Sequence, residues 1–188
     1  LLLTMAAAGM TLPGCASTGG AQSTRLQGDD LREASGSVSE ALAQSSLLSG
    51  RSPANPPMLW RLTRAENISN DRLSDTDRWM IVSRVFFAPG MLSLMRDRSV
   101  ELYMPEPDAE TLRRFGETVA ASTQPVQHTH VVRAEVRNLS RRAGKGQLSD
   151  LSTDTYTILY TIVELPSGKT AWSDQFEIKR VAFGKIVD

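Results

Sequence analysis

The chain has 188 residues, enough for one domain with appendages and few for two. Its 21 Lys and Arg balance its 21 Asp and Glu, so no excess charge calls for nucleic acid or an anionic membrane surface, and one cysteine excludes an internal disulfide. Apolar residues make up 40%, a little under the usual globular share, so part of the chain is expected outside a core.

The first segment, "LLLTMAAAGMTL", is apolar, small and uncharged, and ends beside the lone Cys15. It reads as the h-region of an export signal, with small residues near a cleavage point. The basic n-region that ordinarily precedes an h-region is missing and the first residue is Leu1, so the true start is expected to be cut off or wrongly assigned. Two other readings exist: an ordinary secretory signal with an incidental cysteine, or a buried helix. A helix holding Pro13 and Gly14 and then running into "STGGAQST" would be badly broken. The stretch Leu12-Pro13-Gly14-Cys15 resembles the bacterial lipobox, with Leu three residues before the cysteine and Gly directly before it. Pro13 departs from the Ala or Ser more usual at its position.

The lipobox resemblance implies cleavage between Gly14 and Cys15 and acylation of the Cys15 thiol, usually with further acylation of the new amine. One acyl chain anchors marginally at about 0.8 kcal/mol per buried methylene, whereas two or three hold firmly. Ala16, rather than Asp, implies sorting to the outer membrane. The expected division is therefore a lipoprotein signal peptide at residues 1–14, a lipidated cysteine and tether at 15–28, and a globular domain at 29–188. The tether, "ASTGGAQSTRLQG" after Cys15, is small and polar and would span on the order of 20 Å.

"DDLREASGSVSEALAQSSLLSG" follows, with Asp29 and Asp30 as candidate N-caps. Leu31, Ala34, Val38, Ala41 and Leu42 recur at helical spacing, predicting an amphipathic helix that ends before Gly50. "RSPANPP" stops it. "MLWRLTRAENIS" then alternates Met58, Trp60 and Leu62 against Leu59, Arg61 and Thr63, a strand entered from Pro57. Ser74 and Asp77, three apart, form a weak capping box before "RWMIVSRVFF", in which Trp79, Val82, Val85 and Phe86 share one helical face. Pro89-Gly90 ends or kinks this helix. "SVELYM" is a short strand, and a third helix is expected from Pro107-Asp108 with Leu112, Phe115 and Val119 as its buried stripe.

From Gln127 the pattern changes. In "QHTHVVRAEVRNLS", Val132, Ala134 and Val136 face one way and Arg133, Glu135 and Arg137 the other. "RRAGKGQLSDLST" reads as an exposed loop, and "DTYTILYTIVEL" is a strand returned by "PSGK" to "TAWSDQFEIKR". These segments form an antiparallel meander, whereas the earlier alternation of strand and helix calls for parallel crossover pairing. The predicted fold is α+β: a single mixed sheet of about five strands packed by three helices, in the order α-β-α-β-α-β-β-β.

Few residues offer chemistry. His128 and His130, the only histidines, stand two apart on a strand and so share a face, a spacing a metal can use. No Asp, Glu or Cys in their segment completes a ligand set, so a solvated strand end is expected and no metal site is assigned. No nucleophile elbow or phosphate loop is present in a credible context. No catalytic residue, cofactor or small-molecule substrate is therefore expected. Arg133, Arg137, Arg141, Arg142 and Lys145 lack interleaved aromatic residues, and no nucleic acid is expected. They read as a solvated loop or, alternatively, as a protein-contact surface.

Several of these segments together resemble the globular domain of LpoB-type penicillin-binding protein activators, which are bacterial outer-membrane lipoproteins. They are the helix of "DLREASGSVSEALAQSSLLSG", the Pro-led strand ending "RAENIS", the helix start "LSDTD", the strands "VVRAEVRNLS" and "DTYTILYTIVEL", and the hairpin "LPSGKTAWSDQFEIKR" at residues 165–180. The likeness runs over about residues 29–180. The short spacer and the bulky "FFAPGMLSLMRDRSVELYMP" depart from the pattern. The resemblance implies a non-enzymatic protein, anchored in the cell outer membrane and facing the periplasm. It would dock on a bifunctional peptidoglycan synthase, a penicillin-binding protein, and shift it toward a more active state. Domains of this kind also occur in secretion-assembly lipoproteins that oligomerise at the membrane, which is the alternative. An enzyme acting on cell-wall material is a third reading, resting on the two histidines. Within the hairpin, Trp172 is expected to cap the core opposite Tyr160 or Ile162, and Asp174 to find a backbone or Arg partner.

Overall fold

The computed structural model describes Leu26, residues 28–142 and residues 151–183. Gly14, Cys15, Lys145 and most of the predicted tether lie outside them. The elements run α1 (Gly28–Gln44), β1 (Met58–Leu62), β2 (Glu66–Asn67), α2 (Asp75–Phe86), α3 (Pro89–Asp97), β3 (Val100–Tyr103), α4 (Glu106–Arg114), β4 (His130–Arg142), β5 (Leu151–Glu164) and β6 (Thr170–Phe183).

The strands form one mixed sheet in the order β3-β1-β4-β5-β6, with β2 beside β4. β1 is parallel to both β3 and β4, and β4, β5 and β6 form the antiparallel meander. The α+β fold with its crossover half and meander half is as expected. β1 and β2 together make one interrupted strand: β1 pairs with β4 at His130 to Val132, and β2 rejoins it at Glu135 and Val136. The single strand expected over 58–69 is thus broken at Thr63–Ala65. There Arg78 Nε donates to the Ala65 carbonyl at 2.6 Å and Ala65 N donates to the Arg78 carbonyl at 3.2 Å, so Ala65 pairs with α2 in place of the ladder.

Local chemistry sets the helix boundaries. The Ser74 side chain accepts from Asp77 N at 3.1 Å while the Asp77 carboxylate accepts from Ser74 N at 2.9 Å, a complete capping box for α2. Pro89 does more than end α2. It occupies the first turn of a new helix, where its missing N–H costs nothing, so the sheet carries four helices and not three. Asp29 and Asp30 lie inside the first turn of α1 rather than at its cap, since the helix begins at Gly28, and α1 ends at Gln44, ahead of the expected stop. α4 begins at Glu106 and closes at Arg114, so Phe115 and Val119 fall beyond it. Phe115 is 65% exposed instead of buried, and only Leu112 of the expected stripe is in the core. The segment predicted as a loop over 141–153 is partly strand, because β4 runs to Arg142 and β5 starts at Leu151.

All four helices pack on one side of the sheet. Val38 and Leu42 of α1, Val82, Val85 and Phe86 of α2, Met91 and Met95 of α3 and Leu112 of α4 join one core. The sheet contributes Trp60, Leu62, Val132, Val136, Ile158, Tyr160 and Ile162 to it. Tyr160 Oη donates to the Ile81 carbonyl at 2.9 Å, fastening the middle of β5 to α2, and full burial pushes its phenol pKa far up. The far end of the sheet is held by charge. Arg180 on β6 meets Asp30 of α1 at 3.0 Å with both side chains buried, and Arg180 stands opposite buried Asp154 on β5.

Candidate functional site

Alternation along the long strands gives the sheet a second face with a different composition. Where Val132, Ala134 and Val136 of β4 point to the helices, Arg133, Glu135, Arg137 and Leu139 point away. Along β5 the outward row is Thr153, Thr155, Thr157, Leu159 and Thr161, each half-buried. Along β6 it is Ser173, Gln175, Glu177 and Lys179, all exposed. The register aligns them in rows: Arg133, Thr161 and Ser173; Glu135, Leu159 and Gln175; Arg137, Thr157 and Glu177; Leu139, Thr155 and Lys179. No described helix covers this face. Threonine keeps the strand propensity of a β-branched residue and still tolerates water, so the uncovered side is polar, flat and charge-patterned. Arg133 and Arg137, expected in a solvated patch, are placed here, and Arg137 is paired with Glu135 along its own strand at 2.6 Å.

The two histidines share the parity expected but not the solvation. His130 is 7% exposed. Its Nδ1 lies 2.8 Å from Thr129 Oγ1, and its ring is 6.1 Å from that of Trp60, its neighbour across the parallel pairing. His128 precedes the strand and packs its ring at 4.5 Å from Tyr103. Burial holds both imidazoles below their ordinary pKa, with Arg61 adding to the effect at His128 and Arg51 at His130, where Glu164 opposes it. The expectation of a solvated strand end is therefore corrected: aromatic neighbours on β1 and β3 cover both rings. Among the described residues no group of three or more His, Cys, Asp or Glu is gathered to hold a metal ion.

The hairpin residues are placed closely as the pattern implies. Trp172 stands opposite Ile162 and is partly buried against the core. Asp174 stands opposite Tyr160, is exposed, and its Oδ1 accepts from Gln175 N at 2.8 Å. That backbone partner lies on the free edge of β6, so the Asp174 carboxylate covers one edge donor. Sequence reasoning missed the Asp30–Arg180 pair, whose members are 150 residues apart. Among the described residues no helix is long and apolar enough to cross a membrane.

No family model matches the chain, and no curated protein matches it. Several solved structures are similar to it at low identity. The C-terminal domain of LpoB from Salmonella enterica is 10% identical, with 79% of this chain and 98% of that one covered at a TM-score of 0.45. The corresponding domain from Escherichia coli is 11% identical over the same shares, with a TM-score of 0.43. Lipoprotein GNA1162 from Neisseria meningitidis is 19% identical over 66% of this chain and 84% of that one, with a TM-score of 0.40.

Proposed function

We propose that the chain is an outer-membrane lipoprotein, anchored through acylated Cys15, that binds and activates a bifunctional penicillin-binding protein without chemistry of its own. The observation that carries the reading is the uncovered sheet face, where three strands of 13 or 14 residues present aligned rows of Arg, Thr, Glu and Lys to solvent. A surface of that size and polarity suits reversible protein contact. The lipobox-like stretch at residues 12–15 supports the anchor. Two of the motif strings behind the family resemblance fall on element boundaries: "LSDTD" opens α2, and residues 165–180 hold the turn after β5 and most of β6. Activation by contact requires that the domain bind the active state of the synthase more tightly than the inactive one.

Glycan polymerisation and peptide cross-linking by the synthase, measured with and without the full chain, test the activity. A rise in either rate is expected, and unchanged rates end the proposal. Mass spectrometry of the mature protein tests the anchor, with acylated Cys15 as its first residue the expected result.

A second reading, an assembly lipoprotein that oligomerises at the membrane, draws on the free edge of β6, 14 residues long. Sedimentation of the purified chain as a defined oligomer favours it over a monomeric activator.

A further inference from the structure

β6 is one edge of the sheet, and hydrogen bonds on β4 fix which of its peptide groups are free. Val132 and Val136 turn their carbonyls away from β5, accepting from Thr63 N at 3.2 Å and from Ile68 N at 2.9 Å. The odd-numbered residues of β4 therefore bond to β5. Val131, Arg133 and Glu135 stand opposite Val163, Thr161 and Leu159, so the odd-numbered residues of β5 bond back. Ile158, Tyr160 and Ile162 are left to bond to Phe176, Asp174 and Trp172 of β6. The peptide groups of Ser173, Gln175, Glu177, Lys179 and Val181 consequently point off the sheet. Gln175 N agrees, since it donates to the Asp174 carboxylate at 2.8 Å and not to β5. No described strand pairs with this side of β6.

The side chains of this edge differ on its two faces. Toward the helices, Trp172, Phe176 and Ile178 are partly buried against the core at the margin of the sheet. On the open face Glu177 and Lys179 are exposed, two residues apart, and neither forms an ion pair among the described residues. Two copies of β6 laid edge to edge, antiparallel, are related by a two-fold axis, and the free peptide groups join odd-numbered residues only to odd-numbered ones. A pair centred on Glu177 sets that carboxylate against its own copy, and one centred on Lys179 sets ammonium against ammonium. Centring on Gln175, Phe176 or Arg180 leaves both charges opposite uncharged residues. Centring on Ile178 places Glu177 opposite the partner's Lys179 and Lys179 opposite the partner's Glu177. Of the registers centred between Gln175 and Arg180, this one alone matches opposite charges. It also packs Ile178 against its own copy on the helix side, where hydrocarbon is only partly covered.

From this geometry we infer that the β6 edge is the seam of a dimer, occupied by β6 of a second copy in the antiparallel register centred on Ile178. The inference rests on the oligomerising reading above in that copies of the chain meet, and it specifies where and in what register. Glu177 and Lys179 exchange about four backbone hydrogen bonds across the seam, and their side chains pair on the open face. Asp174 ends the ladder at Gln175, whose N–H it already occupies. The two open faces lie on the same side, so the charge rows of one copy continue into those of the other. Because the same patch serves both copies, the contact closes at two and leaves no β6 edge exposed.

The test uses the full chain, with Cys15→Ser wherever a new thiol is introduced. Sedimentation equilibrium is expected to show a dimer. Glu177→Lys and Lys179→Glu are each expected to weaken it at least ten-fold at an unchanged melting temperature, since both side chains are exposed. The double substitution restores opposite charges across the seam and is expected to recover the dimer. Ile178→Cys, oxidised with glutathione disulfide, is expected to cross-link two copies, because directly opposed Cα atoms at such a position lie about 4.5 Å apart. Gln175→Cys is expected not to cross-link, because its copies are displaced by about 20 Å along the strands. A chain that is monomeric at every concentration overturns this inference together with the oligomerising reading. An oligomer whose charge reversals are not mutually compensating, or which cross-links no better at 178 than at 175, overturns this inference and leaves that reading standing.

Discussion

Replacing Arg180 by Met keeps most of the aliphatic stem and removes the guanidinium. The Arg180 and Asp30 side chains are 8% and 10% exposed, and their contact is 3.0 Å. Buried Asp154 stands directly opposite Arg180 on β5. Removing the cation takes away the 3.0 Å partner of the Asp30 carboxylate in a poorly solvated corner where α1 meets the sheet. Breaking a buried pair from one side costs about 3–5 kcal/mol. For a chain of this size each kcal/mol moves the melting temperature by about 2–4 °C, so Arg180→Met should melt roughly 6–20 °C lower. Thermal unfolding followed by circular dichroism at neutral pH measures it. Arg180→Met combined with Asp30→Asn should recover part of the loss, since the second substitution removes a buried negative charge, and the cycle of the two substitutions gives the coupling. Arg32→Met removes the exposed Arg32–Asp29 pair, at 78% and 85% exposure, and should leave the melting temperature within about 2 °C. If Arg180→Met melts as the parent does, the buried-pair reasoning is wrong and this corner is open to water.

Tyr160→Phe removes the hydroxyl that donates to the Ile81 carbonyl inside the core, a carbonyl that α2 also pairs within the helix, so a loss of about 0.5–1.5 kcal/mol is expected in urea unfolding. Ser74→Ala removes the Oγ that accepts from Asp77 N, keeps the backbone arm from Ser74 N to the Asp77 carboxylate, and should cost about 1 kcal/mol, read the same way. Phe115→Ser, at a position 65% exposed, should leave stability unchanged, which separates the observed C-terminus of α4 from the longer buried helix of the sequence pattern. The buried imidazoles of His128 and His130 bind protons less readily folded than unfolded, so between their folded pKa and the unfolded value of 6.5 the unfolded chain carries more protons. Stability should be complete above about pH 6.5 and decline as pH falls below it, and His130→Phe should flatten that decline in denaturant titrations across the window.

Elements whose signals are local were legible in the sequence. The Ser74–Asp77 spacing marks the start of α2, and strict alternation marks β4 and β5. "PSGK" marks the hairpin, where Gly168 adopts φ 71° and its N–H donates to the Glu164 carbonyl at 2.9 Å. Signals that depend on pairing were not. His130 is dry because the parallel register sets Trp60 beside it, and nothing in "QHTHVV" encodes that neighbour. Pro89 is equally able to end a helix or to begin one, and tertiary packing of Met91 and Met95 decided for a beginning. The uncovered face could be read as the polar half of each strand. Its rows could not, because they need the cross-strand register.

The two faces of the sheet also constrain how any partner binds. Nearly every large apolar side chain of β4 and β5 points to the helices. Opposite them, half-buried Leu159 and 55% exposed Leu139 are the main apolar contributions to the described open face. A partner laid on that face gains little from removing hydrocarbon from water, and it must keep the threonine hydroxyls hydrogen-bonded or lose their hydration without return. Affinity there has to come from matching the charge rows of Arg133, Arg137, Glu177 and Lys179, so it should be fast to form and should weaken as salt screens those charges. Raising ionic strength should therefore weaken contact at the open face, and a partner whose affinity is unchanged between low and high salt is bound elsewhere.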